Sequence, residues 1–348
     1  MTHLTNKNYK IYGDLPLTIE ANKHKSLEPL LDWLRKEKII LEETMLKHGA
    51  IRFRSFDVST PEDFEKIARA IAPELKNDYL GTSPRDAVTD YVFHASELPG
   101  YFPIPQHCEM SFCASPPEFL FFSAMNPSEE NSGETPICDM RKVWSQMDEN
   151  IRERFRSKGM KNVRNYSAPG APAGDQMQLK SWDEMFQSTD KDIVEKKCQE
   201  EGFDPEWKQD GGLRLWGTQT VSKQHPISGV EAWYNHLAIF HVSSPAGEYQ
   251  RICDFRPTEE NRSILEMARS LEKDMREKPP EDLSMHTFYG DGSEIPEEDI
   301  EHVRDLIWKN LQVNAWQKGD VLAIDNASVS HGRLPYKNED REILVCWS

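Results

Sequence analysis

Residues 104–110 read Ile-Pro-Gln-His-Cys-Glu-Met and hold a histidine and a glutamate two positions apart, His107 and Glu109. If this segment is a β-strand, both side chains point to one face of a sheet and Cys108 points to the other. An imidazole and a carboxylate on one face supply two of the ligands that a metal site needs. A hydrogen-bonded surface pair is the commoner origin of this spacing, so the pair alone does not identify a site.

Sheet and helix patterns extend from this segment in both directions. Apolar runs and alternation predict strands at residues 50–56, 91–93, 120–122, 135–137, 213–221, 233–241, 285–288, 321–325 and 343–347. Helical spacing of apolar residues predicts helices at residues 26–48, 61–70, 140–155, 182–201, 259–275 and 296–311. We therefore expect a mainly β chain with helices packed outside the sheets.

One region departs from the sheet pattern. Residues 139–210 contain helical stretches on either side of a loop of small residues at 167–174. Loops above a rigid scaffold often carry function, and small residues permit hinge motion. We predict that residues 139–210 form a helical insertion that acts as a lid, within a single domain that spans residues 1–348.

A second histidine, His331, lies in residues 323–333, which read Ala-Ile-Asp-Asn-Ala-Ser-Val-Ser-His-Gly-Arg. A lone histidine is more often a core or loop residue than a metal ligand. Two histidines and one carboxylate, however, form the facial triad of non-haem Fe(II) oxygenases, which leaves metal positions open for other ligands. Catalytic zinc sites use the same residue types, so a zinc-dependent hydrolase or isomerase stays open, as does a non-catalytic metal-binding barrel.

Two arginines are candidates for binding anions. Arg341 begins the apolar strand predicted at the C-terminus, where a charge is costly unless an anion pairs with it. A guanidinium is suited to holding a carboxylate through two hydrogen bonds, although an exposed arginine at a strand start is an equally frequent case. Arg85 lies in a loop before the His107 segment. A solvated loop arginine is the commoner interpretation there than a contact with an acidic substrate group.

Composition and charge exclude several classes of protein. The 348 residues include 42 Lys and Arg against 59 Asp and Glu, so the formal net charge is −17, which disfavours a nucleic-acid partner. No apolar run approaches the roughly 20 residues that a membrane-spanning helix needs. The six cysteines are scattered without a Cys-x-x-Cys pair, which favours reduced thiols and a cytoplasmic location. The oligomeric state has no signal in the sequence.

Five segments together resemble the TauD/TfdA family of dioxygenases, and more narrowly its clavaminate synthase-like branch. They are residues 104–110, 133–137, 287–292, 316–322 and 324–341. The segments occur in the same order and at similar separations, from about residue 49 to the C-terminus. The resemblance implies a double-stranded β-helix, or jelly roll, with outer helices, and a chemistry that depends on Fe(II), 2-oxoglutarate and O2.

The resemblance also assigns roles to individual residues. It implies that His107, Glu109 and His331 bind iron and that Arg341 binds the distal carboxylate of 2-oxoglutarate with help from Thr135. Arg333, two residues after His331, is expected to support the same cofactor region, with a structural ion pair as the alternative. The predicted reaction is hydroxylation of an unactivated C–H bond in a small molecule, with release of succinate and CO2. The predicted substrate is an amino acid or a derivative, either free or held on a carrier protein.

Overall fold

The computed structural model describes residues 4–79, 85–96, 98–128, 132–172, 179–337 and 340–348. The helices are α1 (Leu27–Lys36), α2 (Lys38–His48), α3 (Pro61–Ile71), α4 (Met140–Gln146), α5 (Glu149–Lys158), α6 (Trp182–Phe186), α7 (Lys191–Glu201), α8 (Leu237–Phe240), α9 (Ser244–Phe255), α10 (Glu259–Met275) and α11 (Glu297–Lys309). The strands are β1 (Tyr9–Tyr12), β2 (Leu17–Ala21), β3 (Ala50–Arg54), β4 (Phe93–His94), β5 (Ile104–His107), β6 (Phe119–Asn126), β7 (Ile137–Asp139), β8 (Met160–Tyr166), β9 (Phe203–Trp207), β10 (Leu213–Gln219), β11 (Ser222–Gln224), β12 (Glu231–Trp233), β13 (Met285–Tyr289), β14 (Leu311–Gln312), β15 (Val321–Asp325), β16 (Val329–Arg333) and β17 (Glu342–Trp347).

Two sheets carry the centre of the fold. A seven-stranded sheet has the order β1-β2-β3-β15-β6-β17-β4, and a four-stranded sheet has the order β14-β7-β16-β5. One apolar cluster contains residues of both sheets, including Phe122 and Val345 from the first and Ile137 and Val329 from the second. The two sheets therefore pack face to face, and β5 and β16 lie side by side in the smaller one.

Helices cover the other face of the large sheet. Leu30, Leu34 and Phe64 from α1 and α3 pack with Phe53 and Phe121 of the sheet in a second apolar cluster. Because Phe121 and its neighbour Phe122 enter different clusters, strand β6 is buried on both faces. Burial on both faces explains why its sequence is a continuous apolar run rather than an alternating one.

Several predicted elements agree with the structure, and others are divided. Strand β15 and helix α10 have the predicted bounds. The predicted helix at residues 26–48 is two helices, because the backbone leaves the helical region at Glu37 (φ −97°, ψ 21°), although Gly49 ends the second as expected with φ +76°. The predicted helices at 140–155 and 182–201 are likewise each divided into two, α4 with α5 and α6 with α7.

The strand predicted at residues 233–241 is wrong beyond Trp233. There the chain forms the short helix α8, because the Asn235 side chain accepts a hydrogen bond from the Leu237 amide and donates one to the Val221 carbonyl. An asparagine that bonds the nearby backbone in this way competes with a strand ladder.

The prediction of a mainly β chain is also wrong, since the helices contain more of the described residues than the strands do. The region 139–210 is not purely helical either. It contributes β8, which pairs with β10 and β13 in a second four-stranded sheet with the order β13-β8-β10-β9. Residues 173–178, within the predicted hinge region, lie outside the described residues.

All six cysteines are unpaired, and five of them are buried. Within the described ranges, no helix has the length and apolar character that crossing a membrane requires. The cytoplasmic location and the single-domain organisation remain predictions.

Candidate active site

The two candidate histidines are brought together by the pairing of β5 with β16. In this antiparallel ladder His331 lies directly opposite His107, and the two imidazole centroids are 4.3 Å apart. Residues directly opposite one another across an antiparallel pair have close side chains, so two segments more than 200 positions apart meet at one point. A β-bulge follows between His331 and Arg333.

Glu109 joins the histidines from the turn that follows β5. Its Oε2 lies 3.8 Å from Nε2 of His107 and 3.4 Å from Nε2 of His331, and all three side chains are buried. The predicted convergence of His107 and Glu109 is confirmed, although β5 ends at His107 and Met110 has φ +48°. Cys108 points away into an apolar cluster, as expected.

Asn326 positions Glu109 through the backbone. The Glu109 amide donates to Asn326 Oδ1 at 2.7 Å, and Asn326 Nδ2 donates to the Glu109 carbonyl at 3.0 Å. Asn326 lies in the turn between β15 and β16, so it joins the turn carrying Glu109 to the segment that leads to His331. The residue belongs to a segment singled out in the sequence, but its role had no sequence signal.

The three side chains fit a divalent metal ion. Nδ1 of His107 lies 2.9 Å from the Pro105 carbonyl, which only accepts, so this nitrogen carries the proton and Nε2 offers its lone pair. The ligand atoms of His107, Glu109 and His331 lie within 4.8 Å of one another. Two imidazole nitrogens and one carboxylate oxygen on one side match the facial triad.

Electrostatics favour the ligating protonation states. Burial on its own raises the pKa of Glu109, but Arg85 and the two imidazoles outweigh it and hold that pKa well below its usual value. Burial, reinforced by the neighbouring His107, lowers the pKa of His331 to about 4. At neutral pH the site therefore presents a carboxylate and a neutral His331 ring, the forms that bind a metal ion.

Arg85 is buried beside the triad, so its interpretation as a solvated loop residue is wrong. Its Nη2 donates to Glu109 Oε2 at 2.8 Å, and its side chain is only 5% exposed. The guanidinium lies 4.3 Å from the ring centroid of Tyr79 and 5.5 Å from that of Trp347. Residues 80–84, which lead into Arg85, lie outside the described residues.

Arg341 is a half-buried cation that immediately precedes β17, at the end of the strand opposite Trp347. Its Nε and Nη2 donate to the Gly133 carbonyl at 3.0 and 2.8 Å, and no carboxylate of the described residues forms an ion pair with it. Burial, followed by repulsion from Arg333, lowers the pKa of Arg341 to about 10. A half-buried guanidinium that has a carbonyl partner and no counter-charge among the described residues is a suitable site for a carboxylate ligand.

Thr135 faces the same cavity as Arg341. Trp316 donates from Nε1 to Thr135 Oγ1 at 3.2 Å, so the threonine hydroxyl is a hydrogen-bond acceptor there and its own proton is left to donate. Trp316 was part of a motif in the sequence, but its contact with Thr135 was not predicted.

Arg333 also lines the cavity but is engaged with the backbone. It donates to the carbonyls of Leu98, Pro99 and Phe102, and these bonds hold the loop before β5. A supporting role for Arg333 therefore agrees with the structure, while direct contact with a cofactor stays a prediction.

A cavity of about 420 Å³ opens onto the triad. Its polar lining includes the triad, Arg85, Thr135, Lys180, His236, Glu248, Arg333 and Arg341, and much of the remaining wall is apolar. The apolar lining includes Leu98, Phe102, Leu179, Ile239, Ile264, Met267, Leu271 and Met285. A largely apolar cavity with a few convergent polar groups is typical of a small-molecule site.

His236 faces this cavity and stacks near His107, with centroids 5.0 Å apart. Burial, followed by the nearby His107, holds its pKa well below the usual value. Its neighbour Asn235 has a structural role through its hydrogen bonds to the backbone of Val221 and Leu237.

A second group of possible metal ligands, His241, His286 and Glu294, lies elsewhere. Nδ1 of His286 accepts from the Val242 amide at 3.2 Å, so the neutral ring carries its proton on Nε2, 3.1 Å from Glu294 Oε2. A metal on Nε2 requires that proton to be absent. These residues are therefore a hydrogen-bonded cluster rather than a metal site.

The amino-acid sequence is similar to that of a known protein family and to two described proteins. The family described as taurine catabolism dioxygenase TauD, TfdA family matches residues 12–347. The dapdiamide synthesis protein DdaC of Enterobacter agglomerans is 31% identical over 299 residues, which cover 86% of this chain and 82% of DdaC. A clavaminate synthase-like protein of Arabidopsis thaliana is 26% identical over 327 residues, which cover 92% of this chain and 87% of that protein.

A solved structure has a similar fold. The crystal structure of PvcB from Pseudomonas aeruginosa matches with a TM-score of 0.53 and 13% identity, over 99% of this chain and 92% of that chain.

Proposed function

The chain belongs to the TauD/TfdA dioxygenase family, and from this premise we propose that it hydroxylates an unactivated C–H bond of a small molecule at the buried triad. It is a non-haem iron dioxygenase that uses 2-oxoglutarate and O2. The observation that supports the position of the site is the convergence of two histidines and a glutamate at a cavity that also contains Arg341, which forms no ion pair with the described residues.

In this proposal Nε2 of His107, Nε2 of His331 and the Glu109 carboxylate hold the iron. The bound iron supplies activation of O2 and the oxidising power for C–H cleavage, with 2-oxoglutarate converted to succinate and CO2. Arg341 holds the distal carboxylate of 2-oxoglutarate, and the Thr135 hydroxyl, oriented by Trp316, donates a further hydrogen bond. The apolar cavity wall orients the substrate and excludes water from the reacting bond.

The facing seven-stranded and four-stranded sheets support the assignment of a double-stranded β-helix core. The predicted lid at residues 139–210 is supported by Leu179 and Lys180, which line the cavity. Limited proteolysis near Gly170 tests the lid, since cleavage that no substrate suppresses counts against it.

The proposed substrate is an amino acid or a derivative, free or tethered to a carrier protein. The cavity of about 420 Å³ exceeds what 2-oxoglutarate needs, and DdaC is by its name a protein of dapdiamide synthesis. Succinate formation is measured with free amino acids and with their pantetheine thioesters. Faster formation with one of them shows whether the enzyme acts on the free or on the tethered form.

Anaerobic titration of the metal-free protein with Fe(II) and 2-oxoglutarate tests the site. We expect a visible metal-to-ligand charge-transfer band that requires both additions. Arg341→Ala should weaken 2-oxoglutarate binding and His331→Ala should abolish the band, whereas the exposed Arg269→Gln should leave it unchanged. Absence of the band with tight retention of zinc would contradict the proposal.

A further inference from the structure

We propose that Arg85, assisted by Lys180, binds a carboxylate of the substrate at the end of the cavity away from Arg341. This inference rests on the proposed function, because it assigns the substrate class of the same site. It identifies the substrate as an organic acid with an apolar body rather than a neutral molecule.

The first observation is that two of the three guanidinium nitrogens of Arg85 lack a hydrogen-bond partner among the described residues. Nη2 is bonded to Glu109, but Nε and Nη1 are buried and have no hydrogen-bond partner among the described residues. The side chain is 5% exposed and lines the cavity. Buried N–H groups without partners are costly, and a carboxylate in the cavity would satisfy them.

The second observation is an imbalance of charge. When the site is loaded, the charges of Fe(II), Glu109, the 2-oxoglutarate dianion and Arg341 cancel. Arg85 then remains as a buried cation whose partner Glu109 is already counted against the metal, and Lys180 and Arg333 line the same cavity. Glu248, also at the cavity, offsets at most one of the cations Arg85, Lys180 and Arg333. An anionic substrate restores the balance.

The third observation is that Arg85 lies far from Arg341, the residue proposed to bind the distal carboxylate of 2-oxoglutarate. Arg341 immediately precedes β17, whereas the Arg85 guanidinium lies 5.5 Å from the ring of Trp347, the last residue of the strand. Six residues of strand span about 20 Å, so the two arginines enter the cavity from opposite ends of β17. The molecule thus offers one guanidinium for the co-substrate and a second for the substrate.

The surroundings define the rest of the ligand. The guanidinium fork holds two carboxylate oxygens at once, and these oxygens are more basic than those of a sulfonate and accept stronger hydrogen bonds. Phe102, Ile239 and Leu271 supply apolar surface for the remaining part of the molecule. Because Arg85 contacts the proposed ligand Glu109 directly, the carbon that reacts is close to the carboxylate rather than at the far end of the apolar body.

Binding of matched probes to the enzyme loaded anaerobically with Fe(II) and 2-oxoglutarate tests the proposal. The probes are 4-phenylbutyrate, its uncharged amide, and 3-phenylpropanesulfonate, and the readout is the shift that each causes in the visible charge-transfer band. We expect the wild type to bind the carboxylate about tenfold more tightly than the amide, as one charged hydrogen-bonded contact allows, and more tightly than the sulfonate.

The variants distinguish the role of Arg85. Arg85→Gln should remove the preference for the carboxylate, Arg85→Lys should retain part of it, Lys180→Gln should reduce it severalfold, and the exposed Arg269→Gln should not change it. Because Arg85 also donates to the proposed ligand Glu109, each variant is compared by its ratio of carboxylate to amide affinity, which a general weakening of the metal site does not change.

Three results would overturn the inference. These are equal binding of carboxylate and amide by the wild type, tighter binding of the sulfonate than of the carboxylate, and an unchanged ratio of carboxylate to amide affinity in Arg85→Gln. The last result would make Arg85 a positioning residue for Glu109 only. Absence of the band in the wild type is a different outcome, because it contradicts the proposed function itself.

Discussion

At the residue scale, the 2-oxoglutarate end of the site depends on a glycine. Gly133 has φ +63°, and a Cβ added there would lie 2.7 Å from Ser128 Oγ, 2.8 Å from Arg341 Nε and 3.0 Å from Arg341 Cδ. The Gly133 carbonyl also accepts both hydrogen bonds that orient this guanidinium. A side chain at position 133 therefore cannot be accommodated without moving Arg341.

We predict that Gly133→Ala raises the KM for 2-oxoglutarate by about tenfold or more, while Fe(II) affinity changes little. The reason is displacement of Arg341, which does not contact the triad. Gly202→Ala is the matched control, since it has φ +72° but nothing within 4 Å of the added Cβ. Equal effects of the two substitutions on KM would show that backbone strain, and not Arg341, is responsible.

Asn326 gives a second prediction at this scale, on the metal side. Asn326→Ala removes both hydrogen bonds to the Glu109 backbone and should weaken Fe(II) binding by about 10-fold to 100-fold, the range for residues that orient metal ligands. Metal titration followed by the charge-transfer band measures this loss.

Asn165→Ala is the control for Asn326→Ala, because Asn165 also bonds two backbone carbonyls, those of Glu281 and Leu283, away from the triad. Asn165→Ala should lower stability without lowering metal affinity. Unchanged Fe(II) affinity in Asn326→Ala would mean that the turn holds Glu109 without this amide.

The residues of the site differ in how far the sequence predicts them. His107, Glu109 and His331 are predictable because each is a ligand type in a recognisable motif. The position of Arg85 is not, because its burial depends on packing against Tyr79 and Trp347, which no local pattern reports. The same holds for hydrogen bonds across the fold, such as that between Trp316 and Thr135.

At the element scale, the geometry of the triad depends on how closely β16 approaches β5. A Cβ added at Gly332 would lie 2.5 Å from the Ile104 carbonyl oxygen and 2.7 Å from Gln106 Nε2. Both neighbours belong to β5, so the strand itself would have to move. Gly332 thus permits the register that places His331 opposite His107.

We predict that Gly332→Ala lowers the free energy of unfolding by about 1–3 kcal/mol and also lowers Fe(II) affinity, because separation of the strands displaces a histidine. Denaturant unfolding and metal titration measure the two effects. Gly217→Ala on β10 is the control, since its Cβ would meet the Phe203 ring at 3.4 Å, an ordinary contact. A Gly332→Ala protein with full metal affinity would contradict this account of the register.

Element prediction succeeds where one signal dominates. Strand β15 and helix α10 agree with prediction because a buried apolar run and a long amphipathic repeat each have one local solution. Residues 233–241 are also apolar and aromatic, and there the backbone bonds of Asn235 select the short helix α8 instead of a strand. Apolar periodicity does not report such side-chain bonds to the backbone.

At the scale of the whole molecule, the site connects parts of the chain that lie far apart in sequence. The proposed metal ligands come from β5, the turn after it and β16 in the four-stranded sheet, and Arg341 comes from the edge of β17 in the seven-stranded sheet. In the proposed arrangement a metal ion would link elements of one sheet, whereas a metal with 2-oxoglutarate would link the two facing sheets. Ligands that bind only the folded chain stabilise it by mass action.

We therefore predict that Mn(II), used as a redox-stable substitute for Fe(II), raises the melting temperature, and that 2-oxoglutarate raises it further only when the metal is present. At 100 times its dissociation constant a ligand adds about 2.7 kcal/mol, which corresponds to roughly 4 °C for a chain of this length. Thermal unfolding of the wild type, His331→Ala and Arg341→Ala distinguishes the shift caused by the metal from the further shift caused by 2-oxoglutarate. His331→Ala should lose both shifts, and Arg341→Ala should keep the metal shift and lose most of the second. A 2-oxoglutarate shift that needs no metal, or that survives in Arg341→Ala, would mean that the co-substrate is held elsewhere than between the triad and β17.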